Sequence, residues 1–177
     1  PSVASPKIYE NLNKALELDP DLPGAHGTAA LIAHVMEWDW EKSEREYLKA
    51  IGINPNDASS RVLYAQLLSL LHRTDEALMQ GRLALELDPL NPMNKIMYSA
   101  ILIWTGDCKT ALALGEEVLA NDPQSYLGHA CIQAAAYPCK EYEKLINAEK
   151  YFLRMYNLKE EHIQEIDRIF MEQGLVK

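Results

Sequence analysis

The side chains that could do chemistry are few in this chain, and their spacing matches no catalytic or metal-binding pattern. His162 and Glu165 lie one helical turn apart, but a zinc site takes three or four ligands, and the sequence shows no other ligand cluster. There is no G-x-S-x-G elbow, no H-E-x-x-H and no Walker-type glycine loop. The sequence therefore predicts a protein that is not an enzyme and needs no metal and no cofactor.

The cysteines and the hydropathy pattern bear on the compartment. Cys108, Cys131 and Cys139 form no C-x-x-C pair, and an odd count without a framework is typical of a reducing compartment rather than of a disulfide scaffold. No stretch approaches the roughly 20 apolar residues that span a bilayer. We therefore expect a cytoplasmic protein without a disulfide scaffold and without contact with a membrane.

The charge composition excludes one class of partner. The chain carries a formal charge of -9, and its 17 Lys and Arg residues are scattered among 26 Asp and Glu residues. A surface of that sign repels phosphate groups, and no basic patch is visible in the sequence. We expect no direct binding to nucleic acid.

Three side chains remain as candidates for partner contact or for packing. Trp38 and Trp40 flank a predicted turn; we expect Trp40 to pack between helices. Trp38 is either an exposed contact residue of the kind enriched at binding hot spots or a packed one. His34 either forms a hydrogen bond with a partner or belongs to the core. The residues alone leave both alternatives open.

The elements that position these residues follow from a repeat. Pro20, Pro55, Pro89 and Pro123 are 35, 34 and 34 residues apart, and the phrase Ala-Leu-Glu-Leu-Asp-Pro ends at both Pro20 and Pro89. A proline ends a helix because its ring blocks continuation of the chain in helical geometry. Self-similarity at this period indicates stacked helical hairpins, none of which buries its apolar face alone. The first interval contains one inserted residue near Trp38.

We divide the chain as one array over residues 1–177. Its predicted parts are a half repeat over residues 7–20, full repeats over 23–55, 56–89 and 90–123, an irregular hairpin over 124–157 and a capping helix over 159–174. In the irregular hairpin, Tyr137-Pro138-Cys139-Lys140 breaks the pattern, so we expect the first helix to end at Ala136. The capping helix, predicted from Glu160 to Gln173, is amphipathic.

Small residues recur at fixed places in this pattern. They are Ala30, Ala65 and Ser99 in the first helices, and Ser43, Ala77, Ala111, Ala50, Ala84 and Val118 in the second helices. The pattern resembles the tetratricopeptide repeat over about residues 7–157. That resemblance implies an all-α, right-handed superhelical solenoid of antiparallel helix hairpins with a C-terminal capping helix. It also places His26 and His129 at equivalent packing positions. Gly81 and Gly115 replace a large aromatic residue, and we expect them to make room for a bulky neighbour such as Trp104.

The resemblance also implies where a ligand binds. In this family the first helix of each hairpin, helix A, lines a concave groove. The partner-binding residues expected on these faces are Leu31, His34, Val62, Gln66, Ser69, Met93, Ile96, Ala100, Ile103, Leu127 and Ala130. Trp38, at the first turn, is a further candidate contact residue outside the groove. Because the groove positions are not Lys, Arg or Asn, we predict no clamp for a chaperone C-terminal carboxylate. An apolar groove favours an amphipathic helix or an apolar peptide, unless the superhelix or the closing helix covers it.

These expectations lead to two functional hypotheses. The first is a non-catalytic scaffold that binds a protein or peptide ligand in the groove. The second is a regulatory domain of a larger signalling or transcription-regulating protein, which forms a homodimer through its terminal helices. The second hypothesis has support in the stretch Trp38–Tyr47, which is similar to repeat regions appended to bacterial nucleotide cyclases and winged-helix regulators.

Overall fold

A computed structural model describes residues 6–172, and that part of the chain consists of helices joined by short turns, without a strand. The helices are α1 Pro6–Leu18, α2 Pro23–Ile32, α3 Trp40–Ile53, α4 Ala58–Leu70, α5 Thr74–Leu87, α6 Pro92–Trp104, α7 Cys108–Asn121, α8 Tyr126–Cys139, α9 Tyr142–Met155 and α10 Glu160–Glu172. A π-helical turn, Ala33–Glu37, continues α2. The all-α fold class is confirmed; Gln173, the predicted end of the last helix, lies outside the described residues.

Side-chain caps fix several helix starts. The Asp39 carboxylate accepts a hydrogen bond from the Lys42 backbone N at 2.9 Å at the start of α3. Asp57 accepts from the backbone N atoms of Ser59 and Ser60 at the start of α4, and Asp107 accepts from Thr110 at the start of α7. Such caps satisfy N–H groups that lack a partner inside the helix, so these acidic residues set where α3, α4 and α7 begin.

The turns inside the hairpins repeat with greater regularity than the prolines do. Trp38, His72, Gly106 and Lys140 all have positive φ, between 59° and 89°, and they follow one another at intervals of 34 residues. Left-handed geometry after the last turn is a common way for a helix to end. The extra residue in the first proline interval therefore lies before Trp38, where the π-helical turn Ala33–Glu37 absorbs it.

One predicted boundary is wrong. Helix α8 does not end at Ala136 but continues through Pro138 to Cys139. A proline in the last turn loses one backbone hydrogen bond, and the turn closes through the Lys140 backbone N, which donates to the Ala136 and Tyr137 carbonyls. The proline does lie at the end of the helix, but the helix ends one residue after Pro138 instead of before it.

The chain forms two compact units, one up to Met97 and one from Tyr98 onward, with the boundary inside α6. In the first unit α2 packs on α3 and α4 packs on α5; in the second, α7 packs on α8 and α8 on α9. All nine small residues of the repeat pattern are buried. Small side chains let two helix backbones approach closely, and the Ser43 hydroxyl donates to the Ala30 carbonyl at such a crossing, at 2.9 Å.

The expected role of Gly115 is wrong in one respect. A Cβ atom at this position would lie 3.0 Å from the Cys131 Sγ and 3.1 Å from the Ile132 Cδ1. The glycine therefore allows α7 to approach α8 closely. Trp104 is not the bulky neighbour that it accommodates, because Trp104 is 82% exposed.

Candidate protein-interaction surfaces

In the first unit, the predicted groove residues differ in how far they reach solvent. Leu31 and Met93 are exposed, whereas His34, Gln66, Ser69 and Ile96 are half-buried. Val62 is 2% exposed and packs in a cluster with Ala58 and Ala84. Sequence reasoning also missed a residue, since Leu70 at the end of α4 is an exposed apolar side chain. Its position one residue after Ser69 gave no sign of exposure, because a leucine near a helix end is more often packed.

The His34 ring has a buried nitrogen atom, Nδ1, that lacks a hydrogen-bond partner among the described residues. Burial lowers the pKa of His34 because a charged ring would lose its hydration. The ring is therefore neutral at pH 7.

In the second unit, the predicted groove residues Ala100, Ile103, Leu127 and Ala130 are all half-buried. Next to Ile103 in sequence, Trp104 ends α6 and is largely exposed. The apolar composition expected of the groove is therefore present on the A helices of each unit taken separately. Whether these residues bind a partner stays a prediction.

A second exposed surface surrounds the first hairpin turn. Trp38 is 73% exposed, and its ring lies 6.5 Å, centroid to centroid, from that of the half-buried Trp40. On the preceding residue, the Glu37 carboxylate accepts hydrogen bonds from the Tyr9 hydroxyl at 3.1 Å and from the Lys42 ammonium at 2.8 Å. The structure thus decides between the two alternatives for Trp38 in favour of exposure.

Two histidines and one arginine fasten the turns between hairpins. The His26 Nε2 lies 2.8 Å from the Pro20 carbonyl oxygen, and the His129 Nε2 lies 3.1 Å from that of Pro123. The Arg61 Nε donates to the carbonyl of Pro55 at 2.8 Å in the same way, six residues after the proline. The His26 Nδ1 also contacts Glu46 at 2.7 Å, and the His129 ring stacks on Tyr151. These histidines are packing residues, as the sequence predicted.

The inference of a reducing compartment from the cysteines fails, because one disulfide is present. Cys108, the first residue of α7, is bonded to Cys139, the last residue of α8, with their Cα atoms 5.7 Å apart. Cys131 is free and buried, and burial raises the pKa of its thiol. The repeat offers only a partial signal. These cysteines flank the turns at Gly106 and Lys140 of adjacent hairpins, one period apart, but the distance between them follows only from how those hairpins pack. The sequence argument for a reducing compartment loses its basis, and a cytoplasmic location stays a prediction.

Residues 6–172 contain no candidate metal site and no candidate membrane span. No group of three or more His, Cys, Asp or Glu side chains in that range is placed to hold a metal ion. Within the same range, no helix is long and apolar enough to cross a membrane.

Comparison with known proteins identifies the fold. A tetratricopeptide repeat protein from Parabacteroides merdae aligns over 94% of this chain and 66% of its own, with a TM-score of 0.68 and 13% identity. The chain has the tetratricopeptide-repeat fold. PilW, a widely conserved type IV pilus biogenesis factor, has 19% identity and a TM-score of 0.72, with 85% of this chain and 70% of PilW covered.

A third solved structure with this fold is PilF from Pseudomonas aeruginosa, at 22% identity and a TM-score of 0.67, with 81% of this chain aligned. The chain spans 65% of PilF, less than two thirds of its length. No protein-family model matches the sequence, and no curated protein does. The nine small positions of the tetratricopeptide pattern thus identify a fold that overall sequence similarity to curated proteins does not reveal.

Proposed function

We propose that this tetratricopeptide array is a non-catalytic scaffold that binds a peptide or helix of another protein on the apolar face of its A helices. The observation that carries the proposal is the contrast in charge between the two kinds of helix. Helices α2 and α8 contain no Lys, Arg, Asp or Glu, whereas α3 contains six of them. A surface that lacks charge and exposes apolar side chains gains free energy when a partner removes it from water.

The few charged side chains on α4 and α6 are engaged within the protein or buried, so they add little charge to the exposed face. Arg61, the charged residue of α4, is engaged by the Pro55 carbonyl and by the Gln80 side chain at 2.7 Å. In α6, Lys95 is buried. By contrast, an apolar side chain is exposed on each of three A helices: Leu31 on α2, Leu70 on α4 and Met93 on α6. The partner that this chemistry fits is an amphipathic helix or an extended apolar peptide, bound through side-chain burial.

The test compares two matched double variants by affinity capture from a source lysate, with mass spectrometry. Leu70→Asp with Met93→Asp places two carboxylates on exposed A-helix positions. Met79→Asp with Leu87→Asp makes the same change at similarly exposed positions on α5, a B helix. Circular dichroism checks that both remain helical.

We expect a partner that the native protein and the α5 variant retain and the A-helix variant loses at least tenfold. The α5 variant shares the added charge, so a loss confined to the A-helix variant assigns the contact to that face. Equal retention by both variants would contradict the proposal.

A second candidate function is self-association through the terminal helices, as expected of a regulatory domain in a larger signalling protein. One observation favours it: none of the residues of α1 is buried. Ile8 and Leu12 instead line a cavity of about 360 Å³ between α1 and α2, together with Leu22 and Ala25. Sedimentation equilibrium separates the two functions, because a dimer loses half its mass on dilution and a peptide-binding monomer does not.

A further inference from the structure

Three apolar side chains project into solvent at the first hairpin turn, and we call them the Trp38 patch: Val35, Met36 and Trp38. Val35 is 56% exposed, and Met36 and Trp38 are also exposed. Val35 and Met36 belong to the π-helical turn, and Trp38 follows it. Adjacent exposed apolar side chains mark contact sites more often than single ones do.

The patch is held in place from both sides. Before Trp38, the Glu37 carboxylate is anchored by Tyr9 of α1 and by Lys42 of α3. After Trp38, Asp39 caps α3, and Trp40 lies against the Trp38 ring. These contacts position the turn that carries the patch, which reduces the ordering of the turn that binding would require.

The first hairpin has a tryptophan at the left-handed position of its turn, and the other hairpins do not. The corresponding residues of the next three hairpins are His72, Gly106 and Lys140. A tryptophan in this conformation costs more than a glycine would, since its Cβ crowds the following carbonyl. Stability of the turn therefore does not explain the choice of tryptophan.

The segment that carries Trp38 has an excess of negative charge. Residues 37–42 read Glu-Trp-Asp-Trp-Glu-Lys, and because Lys42 pairs with Glu37, the Asp39 and Glu41 carboxylates leave the segment net negative. The hydrogen bond from Lys42 holds the pKa of Glu37 below its usual range, so this carboxylate is ionised at neutral pH. Charge of this sign attracts cations and repels acidic or phosphorylated partners.

We propose that the Trp38 patch binds a basic amphipathic segment of a partner protein, in which Lys or Arg residues flank one or two apolar side chains. The apolar side chains pack against Val35 and Met36. An Arg or Lys head group lies over the Trp38 ring as a cation–π contact, and the negative charge of the neighbouring residues Asp39 and Glu41 favours a cation there. This surface uses residues other than the exposed apolar ones of the A-helix face, and the proposal does not rest on that face binding anything.

The experiment selects binders from a library of random 16-residue peptides displayed on phage, using the full chain as bait. The decisive variant is Trp38→Gly, because glycine suits the φ of 59° at this position and so removes the ring without straining the turn. Trp104→Ala is the matched control, since it removes an equally exposed tryptophan from the second unit. The binders are then synthesised, and their affinities are measured in 50 and 200 mM salt.

We expect peptides that carry net positive charge and two or more apolar residues, and that lose at least tenfold in affinity for Trp38→Gly and less than twofold for Trp104→Ala. Their binding should weaken at the higher salt concentration, and Glu41→Lys should weaken it severalfold. The proposal is overturned if no selected peptide distinguishes Trp38→Gly from the native chain, or if those that do are neutral or acidic. Binding by the Leu70→Asp, Met93→Asp variant should be unchanged, so the two proposals fail independently.

Discussion

Removing the Cys108–Cys139 disulfide should destabilise the protein by an amount that follows from the chain length it closes. The bond joins residues 31 positions apart. In the chain-entropy treatment, a closed loop of that length lowers the free energy of folding by about 3 to 4 kcal/mol, because the cross-link removes conformations from the unfolded chain. For a chain of this size, a loss of that magnitude lowers the melting temperature by about 10 °C.

Two perturbations should give the same result. One is the double variant Cys108→Ala, Cys139→Ala; the other is reduction of the native protein with dithiothreitol. Differential scanning calorimetry measures both, and alkylation under denaturing conditions counts the free thiols. We expect one alkylated cysteine, the buried Cys131, before reduction and all three afterwards. Reduction should leave the melting temperature of the double variant unchanged, so this variant controls for effects of dithiothreitol other than breaking the Cys108–Cys139 bond.

Two results would refute this reasoning. Alkylation of all three cysteines without reduction, after exposure to air, would show that the bond does not form. An intact bond whose removal changes the melting temperature by less than about 2 °C would show that the ends of α7 and α8 are held together equally well without it. The close approach of these helices at Gly115 is the contact that would then account for the result.

Two further predictions concern the hairpin turns and the groove. Lys140 has a φ of 61°. In urea denaturation, Lys140→Gly should be more stable than Lys140→Ala by roughly 0.5–1 kcal/mol, because both lose the long side chain but only glycine avoids the Cβ crowding. A glycine variant less stable than the alanine variant would contradict this. Burial lowers the pKa of His34 in the folded protein, whereas the unfolded chain keeps a value near 6.5. The unfolded state then binds more protons below its own pKa, so His34 should reduce stability progressively as the pH falls from about 6.5 toward the lower pKa of the folded state. Urea denaturation of His34→Gln should show a weaker loss over that range than the native protein, and an identical pH dependence would rule out this role.

Much of the local structure was predictable because it depends on neighbouring residues. Asp57 caps α4 through backbone N–H groups two and three residues away, and the prolines end helices by their own ring geometry. The nine small positions are periodic, so burial of Ala65 or Ala111 could be read from spacing alone. The prediction for Pro138 failed because the signal for a helix end is ambiguous by a residue or two when the last turn can close in more than one way.

Other features required the tertiary structure. The disulfide could not be read from cysteine counting, because Cys108 and Cys139 meet only after two hairpins pack. The exposure of Trp104 and the burial of Val62 likewise depend on what the neighbouring helices cover. Neither residue type nor position in the repeat decides that.

The sequence by itself determined that the chain is an all-α array of hairpins with the tetratricopeptide-repeat fold, and it placed the hairpins along the chain. It could do so because the 34-residue period, the caps and the small residues act within one hairpin or between adjacent ones. The tertiary structure alone decided that Cys108 bonds to Cys139, that a π-helical turn absorbs the inserted residue, and that Trp38 is exposed. These outcomes depend on which side chains come together in space, and the order of residues along the chain does not give the distances between residues on different helices.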